Sequence, residues 1–182
     1  MQDVSLHDEM AYGCLFCITG NEMAVANQIQ FLYPTRRAVA ARQEKFKSVN
    51  GKKFKVEAVL LPGYVFFQAP RNMLYLPWLR LPDVIRVLKL DGAWQLFGDD
   101  ERFAKWIFQY DGLLGFSKAY KEGERIRIHS GPLKDMEGQI QRIDKRGRSG
   151  QVALEFDNKT IMVWLGFDLL DSVSLEVPRE NV

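Results

Sequence analysis

At 182 residues with a net charge of +2, the chain has room for one domain of about 100 residues and a smaller companion. Its 47% hydrophobic share supports packed cores, and its 26% charged share a soluble surface. No run approaches the ~18 apolar residues of a membrane span, the first ten residues are polar and acidic rather than signal-like, and two cysteines cannot staple a scaffold. A cytoplasmic chain with no membrane partner is expected.

In chain order, residues 12–18 are apolar and read as a buried strand. Thr19-Gly20-Asn21-Glu22 has the spacing of a capping box, with Thr19 and Glu22 satisfying free amides at a helix start. Val25, Ile29 and Leu32 follow at i, i+4 and i+7, one apolar helical face that Pro34 closes. Residues 35–56 are polar and basic, with the hairpin signal Asn50-Gly51 at their tip. A second apolar strand spans 59–68, interrupted at Pro62-Gly63, and 84–90 alternates apolar and basic residues before Gly92. Asp99, Asp100 and Glu101 suit a helix N-terminus, where the dipole favours acid, and Phe103, Ile107 and Tyr110 form that helix's apolar face. This order predicts an α+β fold, an antiparallel sheet with flanking helices.

Residues 111–120 hold two glycines and little periodicity, as a linker does. Beyond them the period changes. Ile126 and Ile128 alternate, Gly131-Pro132 turns, and Gly138 precedes Ile140 and Ile143. Val152, Leu154 and Phe156 alternate up to Asp157-Asn158, and Ile161, Val163 and Leu165 alternate after it, the spacing of a small β-barrel. The expected plan is a tail at 1–9, a domain at 10–110, a linker at 111–120, a barrel at 121–172 and a tail at 173–182.

Two basic stretches carry the candidate chemistry. Arg36, Arg37, Arg42, Lys45, Lys47, Lys52, Lys53 and Lys55 face a single acid, Glu44, with Phe46 and Phe54 interleaved. Such a run either is a solvated hairpin or neutralises phosphates while its rings stack on bases; the imbalance favours nucleic acid. Lys145, Arg146 and Arg148 form either a charged loop or a second RNA contact. On a strand, Tyr64 and Phe66 share one face and Val65 and Phe67 the other, so one pair can be core and the other partner-facing.

Cys14-x-x-Cys17 invites a redox or zinc reading. On a strand i and i+3 point apart, no second cysteine pair exists, and the only histidines are His7 and His129. No metal and no cofactor are expected. With no Walker loop, no Gly-x-Ser-x-Gly and no metal-binding histidine pair, no catalytic residue is assigned, and the chain is not read as an enzyme.

The aromatic-led strand ending Thr19-Gly20, followed by a helix and Leu61-Pro62-Gly63-Tyr64-Val65, resembles the N-terminal domain of the bacterial NusG family of transcription elongation factors. Glu122-Gly123-Glu124, an alternating strand, Gly131-Pro132-Leu133 and Gly138 resemble its KOW barrel. The family's leading Trp-Tyr pair stands here as Tyr12-Gly13, and Leu61 replaces the aromatic before Pro-Gly-Tyr-Val. With the basic hairpin, these departures resemble a specialised paralog, and Leu15 to Gly20 is similar to the LoaP-type antiterminators.

The resemblance implies an antitermination factor that binds RNA polymerase through Tyr12, Leu61, Tyr64 and Phe66, the alternative being that these fill the core. It implies further that the hairpin meets non-template DNA or nascent RNA, such as a leader hairpin. Phe156 matches a position that contacts a ribosomal protein or termination factor, or else is core. A monomer is expected. The competing reading is a KOW-domain RNA-binding protein linked to the ribosome or translation.

Overall fold

The computed structural model describes residues 10–89 and 92–170. The expected tails, the last two positions of the expected barrel and the last position of the strand at 84–90 lie outside the described residues. The chain combines α-helices and β-strands in an α+β arrangement, divided into two compact units. Among the described residues, those from Met10 to Gln43, Ala58–Leu114 and Glu155–Lys159 form the first; Glu44–Glu57, Gly115–Leu154 and those from Thr160 to Leu170 form the second. The division is therefore not the contiguous one expected from the change of period. Most of the basic hairpin counts with the later residues, and a five-residue turn counts with the earlier ones.

In the first unit, β1 (Met10–Cys17), β2 (Ala38–Ala40), β5 (Tyr64–Pro70) and β6 (Val84–Val87) form an antiparallel sheet in the order β2-β5-β1-β6. Strand alternation sorts its side chains into two faces. Ala11, Leu15 and Cys17 of β1, with Val65, Phe67 and Ala69 of β5, join Val25, Ala26 and Ile29 of α1 (Glu22–Leu32) in one core, completed by Trp78 and Trp94. The opposite face carries Cys14, opposite Phe66, and Phe16, opposite Tyr64, and meets α2 (Gly98–Gln109). Gly13 lies opposite Phe67. A Cβ on Gly13 would stand 2.2 Å from the Phe67 ring, so this ring occupies the space that a larger residue here would need.

Both helices differ in detail from their sequence signals. Helix α1 begins at Glu22 with Asn21 as its cap residue, and no side chain caps it. The capping box at Thr19 does not form. Glu22 instead accepts from the amides of Gly20, at 3.0 Å, and Gly63, at 2.6 Å. Val25 and Ile29 are buried as expected, but Leu32 at the helix end is 48% exposed. Helix α2 opens with Asp99, Asp100 and Glu101 and buries Phe103, Ala104, Trp106, Ile107 and Phe108, a wider stripe than expected, while Tyr110 lies just beyond it as the C-cap.

The hairpin forms as expected: β3 (Arg42–Val49) and β4 (Lys52–Val59) are joined by Asn50 and Gly51, both at positive φ (51° and 75°), the conformation a two-residue hairpin turn requires. The expected linker at 111–120 is largely strand. Leu113 and Leu114 (β7) pair in parallel with Arg42 and Gln43, and Ser117–Glu122 is β8. Apolar Leu114 and Ala119, buried at 1% and 0% exposure, give this stretch core to bury, which its glycines concealed.

The second unit contains a five-stranded sheet in the order β10-β11-β12-β8-β9. Its strands are Ile140–Asp144 (β10), Ser149–Phe156 (β11), Lys159–Leu169 (β12), β8, and Arg125–Ser130 (β9). β12 runs parallel to β8 through Phe167↔Ser117, while the neighbouring pairs β8–β9 and β10–β11 are antiparallel. Ala119, Ile128, Leu133, Val152, Leu154, Val163, Leu165 and Phe167 are buried. Ser117 is buried as well, and its hydroxyl accepts from the Leu133 amide at 2.9 Å, which satisfies a polar group that burial would otherwise penalise.

Candidate functional site

Two surfaces gather the residues singled out by the sequence. In the first unit, the face of β1 and β5 turned to α2 is aromatic. Tyr64 packs at 4.6 Å on Phe16, and the Arg86 guanidinium lies 3.9 Å from the Phe16 ring centre. Phe66 lies 5.6 Å from Phe103 of α2. Into this face comes the ring of Phe156, 5.2 Å from Phe66, 5.2 Å from Phe103 and 5.6 Å from Tyr64. Tilted and edge-on rings at such spacing match the aromatic quadrupole preference.

The turn that carries Phe156 is pinned at its next residue. Asp157 and Asn158 both have positive φ, 53° and 56°, and the Asp157 amide donates to the Asp100 carboxylate at 2.9 Å. Burial pushes the Asp100 carboxyl above the ordinary range, against the Asp157 amide that lowers it, with the Asp157 charge adding to the rise. Tyr64 is shifted upward too, by burial first and then by the nearby Asp157 carboxylate.

Of the four residues expected to meet a partner, Leu61 and Phe66 are buried, at 5% and 0% exposure. As the structure stands they are core, because a leucine at the strand entry and a ring with two aromatic neighbours leave no surface. Tyr64 is half-buried. Tyr12 is also half-buried, stacked at 5.4 Å on Phe108, and it lines a cleft of about 390 Å³ with Arg37, Gln68, Arg71, Glu101 and Lys105. Phe156, offered by the sequence as a partner contact or as core, is 1% exposed. It is core, because three aromatic rings surround it.

The basic run 36–55 separates into engaged and open side chains. In the first unit, Arg37 pairs with Asp111 and lies 5.1 Å from the Phe108 ring centre; Arg36 and Arg42 are half-buried. In the second, Lys55 pairs with Asp168 at 3.0 Å and sits 4.3 Å over Phe116. Lys118 completes that clamp at 3.2 Å. Burial raises the Asp168 carboxyl, but the two lysines outweigh it and hold it below the usual range. Lys53 donates to the Arg146 carbonyl at 3.3 Å. Lys45, Lys47 and Lys52 are exposed and, among the described residues, have no ion pair.

Of the two interleaved rings, only Phe54 is open, at 50% exposure. Phe46 packs at 4.6 Å on Phe116 and is not available for stacking. Lys145 donates to the Glu124 carbonyl and lies 3.8 Å from its carboxylate. With Arg146, Arg148 and Lys121 it lines a cleft of about 330 Å³. Sequence reading missed Lys121 and Phe116. Phe116 fell in the supposed linker, where the alternation of Ser117 and Ala119 was the available signal.

Cys14 and Cys17 are buried free thiols. Burial raises both, Cys17 to about 11 and Cys14 well above its ordinary value, which keeps them un-ionised and unreactive. Among the described residues no cluster of three or more His, Cys, Asp or Glu could hold a metal. No helix among them is long and apolar enough to cross a membrane.

No protein-family model matches the sequence. The chain is similar to the transcription termination/antitermination protein NusG of Borreliella burgdorferi, with 28% identity over 153 residues, covering 74% of this chain and 80% of that protein. It is similar also to the Thermus thermophilus protein of the same name, with 29% identity over 145 residues, 72% of this chain and 74% of that one. The chain thus has NusG-family homology over most of its length. A solved structure described as "Domain interaction in Thermotoga maritima NusG" aligns with a TM-score of 0.49 and 19% identity, over 87% of this chain and 94% of that one.

Proposed function

We propose that this chain is a NusG-like transcription elongation and antitermination factor that docks RNA polymerase through the β1/β5 face of its first unit and contacts nucleic acid through its basic hairpin. The observation that carries the docking reading is the Phe16–Tyr64–Phe66 face, which already receives an apolar plug in the form of Phe156. Once the plug leaves, a face built of rigid rings offers large contact area at low entropic cost to the tip of a partner hairpin or coiled coil. Homology to proteins named for termination and antitermination supports the same reading.

Because Phe66 and Leu61 are buried, Tyr64 and Tyr12 are the residues available for first contact. Contact with Phe66 requires Glu155–Lys159 to leave the face, and the partner must supply the free energy lost with Phe156. The second unit is proposed as a KOW-type barrel, and Lys145, Arg146 and Arg148 as contacts for RNA. The unpaired lysines of the hairpin suit a specialised, LoaP-like paralog recruited through nascent RNA or non-template DNA. Docked across the polymerase cleft, the first unit favours its closed state, which suppresses pausing and release.

The test is transcription in vitro through an intrinsic terminator. Purified chain raises read-through, and Tyr64→Ala abolishes the gain while leaving the circular dichroism spectrum unchanged. Read-through that survives Tyr64→Ala removes the assignment of this face. Co-purification with ribosomes rather than polymerase would favour a translation-linked RNA binder instead.

A further inference from the structure

The sheet face that carries Phe16 and Tyr64 turns polar towards its other end. Tyr12 of β1 and Gln68 of β5, paired in register, continue the same alternation. With Arg37, Arg71, Glu101 and Lys105 they line the cleft of about 390 Å³ in the first unit. Three cations therefore face one acid around a polar floor.

Each cation is held from behind. The Arg37 carbonyl accepts from the Gln68 amide at 2.9 Å, and its guanidinium lies over the Phe108 ring and donates to the Phe108 carbonyl at 3.4 Å. The Arg71 carbonyl accepts from the Gln95 side-chain amide at 2.9 Å, which fixes the turn after β5. Lys105 lies 5.8 Å from the Tyr12 ring centre and pairs at 2.9 Å with Glu101, one turn earlier on α2. The ion pairs themselves restrain little. Asp111, the partner of Arg37, stands outside the cleft lining with 84% of its side chain exposed, and Lys105 is half-exposed. Water screens such pairs, so their cations turn to a better anion at small cost. Among the described residues, the Arg71 and Gln68 side chains have no hydrogen bond or ion pair.

We propose that this cleft binds a small phosphate-bearing molecule of about mononucleotide size, a ligand separate from the partners of the docking face and of the hairpin. Its phosphate sits among Arg37, Arg71 and Lys105. A phosphate monoester carries about two negative charges near neutral pH, which three cations and one acid complement; a lone carboxylate would leave a cation unmatched. The two guanidiniums present planar forks that fit phosphate oxygens. Tyr12, Gln68 and Glu101 offer a hydroxyl, an amide and a carboxylate to the rest of the ligand. The volume lies within the ~300–1,000 Å³ of small-molecule pockets. Because the cations are already fixed by Phe108, Gln95 and Glu101, binding orders few side chains, which preserves affinity.

The experiment is isothermal titration calorimetry of the full chain with adenosine monophosphate, with adenosine and inorganic phosphate as separate probes and an oligo-dT strand for comparison. One monophosphate is expected to bind per chain, and adenosine about tenfold more weakly or less. Arg71→Glu and Lys105→Gln each weaken the monophosphate by about tenfold or more, the loss expected for a hydrogen bond to a charged group. Arg71→Lys retains part of the affinity, and Lys52→Glu, on the hairpin, leaves it unchanged. Arg71 and Lys105 are both exposed, and circular dichroism checks that the variants fold.

A monophosphate that binds no more tightly than adenosine, or does not saturate, overturns the phosphate site. Monophosphate binding that survives both Arg71→Glu and Lys105→Gln overturns the assignment to this cleft. Loss of oligo-dT in Arg71→Glu without any monophosphate binding to wild type makes the cleft a polynucleotide contact and overturns the small ligand.

Discussion

The ring of Phe156 lies 5.2 Å from that of Phe66, and ninety positions of chain separate them. The plug and its socket are therefore built from distant sequence, and their contact holds the Glu155–Lys159 turn in the first unit. Removing the ring leaves a cavity against Phe66 and Phe103, where a buried Phe→Ala change costs about 3–5 kcal/mol if the site does not collapse. Phe156→Ala is expected to lower the urea midpoint and to raise binding of a hydrophobic dye as Tyr64 and Phe66 become accessible. A midpoint equal to that of the wild type would show that the plug contributes nothing.

Glu22 ties the start of α1 to the Pro62-Gly63 turn. Its burial favours the neutral acid, but the amides of Gly63 and Gly20 outweigh that and hold the carboxyl below its ordinary value of 4.5. A carboxyl depressed in the folded state contributes stability above its unfolded pKa and loses it as pH falls through the folded one. Glu22→Gln is expected to cost about 1–3 kcal/mol at pH 7, with the gap to wild type narrowing in acid below the ordinary carboxylate range. Denaturant melts at the two pH values check this; a gap that widens in acid contradicts it.

Asp100 carries the opposite sign. Its carboxyl is raised, by burial above all, so ionising it costs stability, and that cost appears as pH rises from the unfolded pKa through the folded one. Asp100→Asn keeps an oxygen for the Asp157 amide and removes the charge. The variant is expected to be at least as stable as wild type at neutral pH, with the two converging below the usual carboxylate range. A variant weaker at neutral pH by more than about 1 kcal/mol would show that the charge-assisted bond dominates.

Gly13 lies opposite Phe67 on β5, and the Phe67 ring fills the place that a side chain at this position would take. Gly13→Ala forces that ring or the β1–β5 pairing to shift, an overpacking cost of about 1–3 kcal/mol. Thermal melts measure it. A neutral substitution would mean that Phe67 has another rotamer available at no cost.

Much of the first unit was legible in the sequence because its signals are local. Asn50-Gly51 fixed the hairpin, the acid-rich turn at Asp99–Glu101 fixed the start of α2, and alternation at 64–67 separated the two faces of β5. The capping box misled because Glu22 sits at the first helical position, two residues short of the third-position place its spacing implied, and found Gly63 as a partner. What depended on distant chain was not legible. No periodicity pairs Leu113 with Arg42, brings Lys53 to Arg146, or tells that Phe46 is covered and Phe54 open. Sorting the basic run into engaged and open cations likewise needed Asp111 and Asp168 in place.

The central claim, that the β1/β5 face docks RNA polymerase, is tested most directly by affinity for the purified bacterial enzyme measured on wild type, Tyr64→Ala and Phe156→Ala. The account predicts that Tyr64→Ala weakens binding by at least tenfold, and that Phe156→Ala tightens it because the partner no longer has to displace the plug. Unchanged affinity in Tyr64→Ala together with unchanged or weaker affinity in Phe156→Ala would contradict it.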